Sequence, residues 1–247
     1  MIWDSIPVQI ARDNSKFIFS HVKQGARAKE LEDALSWIVN SGIALKLDLV
    51  STPEIPLSGM ADSTYFKVYL SDVGLLRRKA NINYRTILVG NDAFIHFKGA
   101  LAENYIFIQL KCMGITPYFW RTKADAEIDF ITDYGGELIP IEVKSADNTR
   151  AKSLRLFCGR YKPKIAFTII QPEKEPARFF ADIPEVMKLL NCAYRRRNGA
   201  TEIFRSYKGG HDKKRNCIVA RVLNVGVKLD NNGHEWFSFA VENCEGV

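Results

Sequence analysis

The chain has no Cys-x-x-Cys pair, no long apolar run and only four histidines, and each absence removes a class of function. Its five cysteines, Cys112, Cys158, Cys192, Cys217 and Cys244, are scattered and odd in number. That argues against a disulfide framework and against a structural zinc site. His21, His96, His211 and His234 lack metal-ligand spacing, and His96, close to Glu103, reads as structural. No stretch approaches the roughly 18 apolar residues a membrane helix needs. No basic-then-apolar leader opens the chain either. The expectation is a cytoplasmic protein with no membrane partner.

What is present is a globular composition. The 247 residues are 47% hydrophobic, enough for one large domain or two small ones with a sizeable core. Net charge is +7, which permits a polyanionic partner without requiring one.

The most informative stretch runs from Glu127 to Lys144. Two alternating segments flank Gly135-Gly136, the pattern of a β-hairpin closed by a two-residue turn. That turn sets Tyr134 opposite Glu137, and counting outward sets Asp129 opposite Glu142 and Glu127 opposite Lys144. Alternation then gives these four charged residues one face, and Ile128, Phe130, Ile139, Ile141 and Val143 the other. Carboxylates facing each other across a strand pair repel. A cation or a raised pKa relieves them. An acid and an acid-x-Lys so arranged suit a Mg²⁺ site, since that ion takes a few carboxylates plus waters. The alternative is a solvated hairpin face with a cross-strand Glu127–Lys144 ion pair.

Elsewhere the pattern gives a short helix over 4–12, with Pro7 in its first turn, and a helix over 26–41 stopped at Gly42. Strands follow over 43–50 and 65–70. Helix, helix and a two-stranded wing is the order of a winged-helix module, which serves in DNA binding or in packing. A strong helix spans 94–112 and ends at Gly114, with Glu103 on the face of Ile106, Phe107 and Leu110. A carboxylate on an apolar stripe is costly to bury unpaired. Glu103 therefore either reaches a cation in a site or pairs with a core Arg or Lys. A short strand, Tyr-Phe-Trp, is expected over 117–121.

Beyond Lys144, Asn148 or Thr149 can cap a helix with Leu154, Phe157 and Cys158 inward. Its outer side carries Arg150, Lys152, Arg155 and Arg160: a phosphate-contacting flank, or a solvated face. The tail from Asn191 holds Arg195-Arg196-Arg197, Lys213-Lys214-Arg215 and a hairpin over 217–229 and 234–241, with no evident chemistry.

Several segments carry a resemblance. They are Ile6-Pro-Val-Gln-Ile-Ala, Gly25-Ala-Arg-Ala-Lys, Ala34-Leu-Ser-Trp-Ile, Phe66-Lys-Val-Tyr-Leu-Ser-Asp-Val-Gly-Leu-Leu and Gly99-Ala-Leu-Ala-Glu-Asn. Tyr118-Phe-Trp-Arg, Ala126-Glu-Ile-Asp-Phe and Ile139-Pro-Ile-Glu-Val-Lys-Ser continue the series. In this order, over roughly residues 2–188, the chain resembles a group of prokaryotic AAA-type ATP-binding proteins. Their C-terminal part, a domain of unknown function, looks like the PD-(D/E)XK phosphodiesterase fold. The resemblance implies Glu103 as the helix carboxylate, Asp129 as the strand acid, and Glu142 and Lys144 as the E-x-K. No G-x-x-x-x-G-K-[ST] phosphate loop occurs, so no ATP site is expected. The expected reading is a motorless version, a truncated product, or half of a split system working with a separate ATPase.

Together these give an α/β fold in three parts. They are a winged-helix-like module over 1–75, a restriction-endonuclease-like mixed sheet flanked by helices over 76–190, and a basic β-rich tail over 191–247. The expected function is a Mg²⁺- or Mn²⁺-dependent nuclease-like domain acting on DNA. Asp129 and Glu142 hold the metal, Glu103 completes the shell or holds a second ion, Glu127 is peripheral, and Lys144 orients water. Arg150, Lys152 and Arg155 face nucleic acid. The alternative is an inactive regulatory, docking or DNA-binding domain.

Overall fold

A computed structural model describes residues 1–12, 16–25, 27–83, 95–124, 126–134, 136–145, 152–163, 166–171, 226–229 and 235–240. Helices α1 (Ile2–Ile10), α2 (Ala28–Asn40), α3 (Val73–Lys79), α4 (Ile95–Cys112) and α5 (Lys152–Tyr161) surround one mixed sheet. Its strands are β1 (Ala44–Leu49), β2 (Asp62–Leu70), β3 (Tyr118–Arg121), β4 (Glu127–Tyr134), β5 (Glu137–Ser145), β6 (Phe167–Gln171), β7 (Gly226–Leu229) and β8 (Glu235–Ala240). They lie in the order β2-β1-β3-β4-β5-β6-β8-β7. The α/β class expected from the sequence is the class found.

The first helix starts two residues earlier than the sequence pattern gives. Ile2, Ile6 and Ile10 recur every four residues and are all buried, so the apolar stripe begins at Ile2. Pro7 consequently falls in the body of α1 rather than in its first turn. Helix, helix and antiparallel strand pair do follow one another over the first 70 residues, but the strand pair does not stand alone. Leu49 of β1 pairs in parallel with Phe119 of β3, and the Val50 N–H donates to the Phe119 carbonyl at 2.8 Å. One apolar cluster therefore contains Ile6, Leu47 and Tyr69 together with Leu101, Phe107 and Phe130.

The central hairpin has the expected register, from Tyr134↔Glu137 to Phe130↔Ile141, with Gly136 at φ +80°, a conformation only glycine adopts cheaply. Strict alternation fails on β4, however. Between Tyr118↔Ile131 and Trp120↔Ile128, β3 advances two residues while β4 advances three. This bulge divides the residues expected on one face. Phe130, Ile139 and Ile141 join the cluster under α4, whereas Ile128 joins Ile131, Trp120, Leu154 and Phe157 on the side covered by α5.

The tail contributes β7 and β8, an antiparallel pair whose β8 lies parallel to β6, so the expected hairpin extends the same sheet. Its basic clusters, with Asn148, Thr149 and Arg150, lie outside the described residues.

Candidate functional site

Three devices place the charged residues. The first is the end of the hairpin ladder. Past Phe130↔Ile141, β4 goes on pairing with β3 as far as Glu127, and β5 with β6 as far as Ser145. Asp129 sits where the two strands part, and its Oδ2 accepts the Val143 N–H at 2.7 Å. A side chain thus stands in for the missing ladder bond.

The second is Asn104 of α4, fully buried against β2. Its amide accepts from the Leu70 N–H at 2.9 Å and donates to the Leu70 carbonyl at 2.7 Å. This reciprocal pair satisfies buried main-chain groups of an edge strand. It also helps fix the rotation of α4 about its axis. Glu103, the preceding residue, then meets Tyr69, whose hydroxyl donates to Glu103 Oε2 at 3.0 Å. Ile106, Phe107 and Leu110 are buried on that helix, as its spacing predicted.

The third is Lys67. This β2 lysine is only 2% exposed, with its ammonium 2.5 Å from Glu127 Oε1, 4.0 Å from Glu103 Oε2 and 5.1 Å from the centre of the Phe119 ring. Arg121 lies on the far oxygen of Glu127 at 3.7 Å. The Glu127–Lys144 ion pair of the alternative, solvated-face reading does not form. Glu127 turns to Lys67 and Arg121, because β4 and β5 have separated before reaching it, and Lys144 pairs with Glu142 at 2.7 Å.

Burial raises the carboxyls of Asp129, Glu103 and Glu142. That of Asp129 lies well above its ordinary range, through desolvation and then the Glu103 charge, against the pull of Lys67 and the Val143 N–H. Glu103 is raised by desolvation, opposed by Lys67 and aggravated by Glu127. Glu142 is raised by desolvation and opposed by Lys144. For Lys67, desolvation works to remove the proton, but Tyr69, Glu127, Glu103 and Asp129 together outweigh it and hold the ammonium charged.

The four residues expected to act together are thus divided between a network and an ion pair, with one residue standing between them. Glu103 belongs to a network with Tyr69, Lys67, Glu127 and Arg121, while Glu142 belongs with Lys144. Asp129 stands between them, feeling both Glu103 and Glu142. Glu142 is 2% exposed, and no described residue bonds its Oε2, which is fully out of water. Among the described residues, no three His, Cys, Asp or Glu side chains are grouped so as to hold an ion by themselves. Lys152 and Arg155 are exposed on α5; Arg150 lies outside the described residues.

Sequence reading missed Lys67, Tyr69 and Asn104. The available signal was Tyr65-Phe-Lys-Val-Tyr, a strand whose alternate positions are amphipathic rather than freely polar.

Comparison with known proteins gives two adjacent matches. Residues 98–191 match the family model described as Domain of unknown function (DUF4143), and residues 1–86 that described as Domain of unknown function (DUF8612). Glu103, Asp129, Glu142 and Lys144 fall in the first, and Lys67 and Tyr69 in the second. An 81-residue stretch is 35% identical to "Uncharacterized protein Rv2008c" of Mycobacterium tuberculosis and, equally, to "Uncharacterized protein Mb2031c" of Mycobacterium bovis. It covers 32% of this chain and 17% of each relative. No solved structure matches. No helix among the described residues is long and apolar enough to cross a membrane.

Proposed function

We propose that the chain is a divalent-cation-dependent phosphodiester hydrolase of the PD-(D/E)XK class acting on DNA, with Asp129 and Glu142 as the ligands of Mg²⁺ or Mn²⁺. The observation that carries this reading is Glu142 Oε2, a buried carboxylate oxygen for which no described residue supplies a partner. A buried acceptor left unbonded costs about 1–3 kcal/mol, more when charged. A cation would remove that cost. Carboxylate oxygens are hard donors, and Mg²⁺ uses one or two of them with waters and substrate phosphate, so the absence of a three-residue group among the described residues does not oppose the fit.

When bound, such an ion supplies a Lewis acid for the phosphoryl oxygens and lowers the pKa of a bound water. The chain's own residues do the rest. Lys144, 20% exposed and paired with Glu142 Oε1, is the proposed donor to the attacking water or to a phosphate oxygen. Exposed Lys152 and Arg155 supply positive charge for the nucleic-acid backbone. Association with an ATPase, implied by the family resemblance, belongs to the same proposal.

The test is cleavage of plasmid and oligonucleotide DNA with Mg²⁺ or Mn²⁺. Asp129→Ala and Glu142→Ala should abolish it while the circular-dichroism spectrum is kept; undiminished cleavage by either variant would sink the assignment. A second reading, an inactive docking or regulatory domain that keeps the fold, is favoured by one observation. Glu103 and Glu127 are already neutralised by Lys67 and Arg121, with no ion needed. That reading predicts no divalent-metal effect on stability.

A further inference from the structure

The acidic cluster is lopsided. On its β2–α4 side, Glu103 and Glu127 share the Lys67 ammonium, Tyr69 donates to Glu103, and Arg121 sits on the other oxygen of Glu127. On its β5 side, the Glu142 Oε2 atom has no described partner. We infer that Lys67 takes the place of a second cation, so that the cluster receives one divalent ion, at Asp129 and Glu142, and none at Glu103. The position of the single ion rests on the proposed function; the exclusion at Glu103 rests on Lys67 alone.

Two physical arguments carry this. The first is access. Lys67 is anchored on a strand whose residues from Phe66 to Leu70 are all buried, and its ammonium lies against the Phe119 ring. An ion entering between Glu103 and Glu127 would have to expel that ammonium from its anionic partners while its side chain stays only 2% exposed. Leaving it buried without its anionic partners is strongly unfavourable.

The second is charge. Glu103, Glu127, Asp129 and Glu142, if ionised, stand against Lys67, Arg121 and Lys144, which leaves one net negative charge. One divalent ion turns this into one net positive charge, the complement of a single phosphodiester. A second ion would leave three positive charges in a site largely removed from water, an arrangement that low dielectric penalises heavily. Glu103 is accordingly a positioning residue that holds Lys67 and Tyr69, and its carboxylate is not a metal ligand.

The experiment is a Mg²⁺ titration of the full chain labelled with ¹⁵N-lysine, following the side-chain ammonium resonances. Lys67→Arg and Lys144→Arg identify the two signals. The expected result is that Mg²⁺ displaces the Lys144 resonance and leaves that of Lys67 in place. Displacement of both resonances would overturn the inference while sparing the metal reading. Displacement of neither would overturn both. A count of bound Mn²⁺ by electron paramagnetic resonance gives an independent readout. We expect one ion per wild-type chain, a second gained in Lys67→Ala, and that second one lost again in Lys67→Ala/Glu103→Gln. Two ions in the wild type, reduced to one by Glu103→Gln, would overturn the inference even if Lys67→Ala fails to fold.

Discussion

Replacing Lys67 by Met keeps the length and apolar stem of the side chain and removes only its charge. In the wild type that charge is buried, 2.5 Å from Glu127 and 4.0 Å from Glu103. Removing one partner of a buried pair costs about 3–5 kcal/mol, because the other is left charged and poorly solvated. For a chain of this size, 1 kcal/mol shifts the melting midpoint by about 2–4 °C, so Lys67→Met should melt roughly 10 °C lower near neutral pH. The deficit should depend on pH in a definite direction. Glu103 and Asp129 are raised in the folded protein by desolvation, and Lys67 opposes the rise in both. Groups raised on folding contribute stability that is full below their unfolded pKa and lost as pH climbs through the folded value. Without Lys67 the rise is larger, so the loss is larger. The deficit of Lys67→Met should therefore be smallest near pH 4 and grow towards pH 8, as read by differential scanning calorimetry across that range. A midpoint within 2 °C of wild type at pH 8, or a deficit that grows as pH falls, would refute the reasoning.

Phe107 is 1% exposed, stacks on Phe130 at 5.9 Å and meets Tyr69 edge-on at 5.3 Å, so Phe107→Ala should cost about 3–5 kcal/mol in urea unfolding. If Lys152 and Arg155 meet the nucleic-acid backbone, Lys152→Ala/Arg155→Ala should weaken DNA binding alike for every sequence. It should also reduce the slope of log affinity against log salt by about 0.9 per lost phosphate contact, measured by fluorescence anisotropy. An unchanged slope would leave α5 as a solvated face.

The sequence carried the hairpin because its information is local. The glycine turn and the alternation of 127–144 were enough to set Tyr134 against Glu137. They could not reveal the bulge that parts Ile128 from Phe130, since a bulge answers to the neighbouring strand β3. Nor could they reveal that β4 and β5 separate at Asp129, which redirects Glu127 away from Lys144. Glu103 was legible as a carboxylate needing a cation, because an acid amid Ile106, Phe107 and Leu110 is an energetic anomaly at any distance. Its partner was not legible. Lys67 lies 36 positions earlier on a strand where lysine ordinarily reads as solvent-facing, and only the packing of α4 over β2 makes it a core residue. The first two strands were found, but their attachment to β3 rests on a single parallel pairing, Leu49 with Phe119, that no periodicity encodes.

The central claim is that Asp129 and Glu142 form a cation site, and thermal unfolding with and without millimolar Mn²⁺ tests it most directly, on wild type and on Glu142→Ala. Ligand at a hundredfold excess over its Kd stabilises by about 2.7 kcal/mol, which for this chain is a rise of roughly 5–10 °C. The account predicts that rise for the wild type and none for Glu142→Ala. An equal response in both proteins, or none in either, would contradict it.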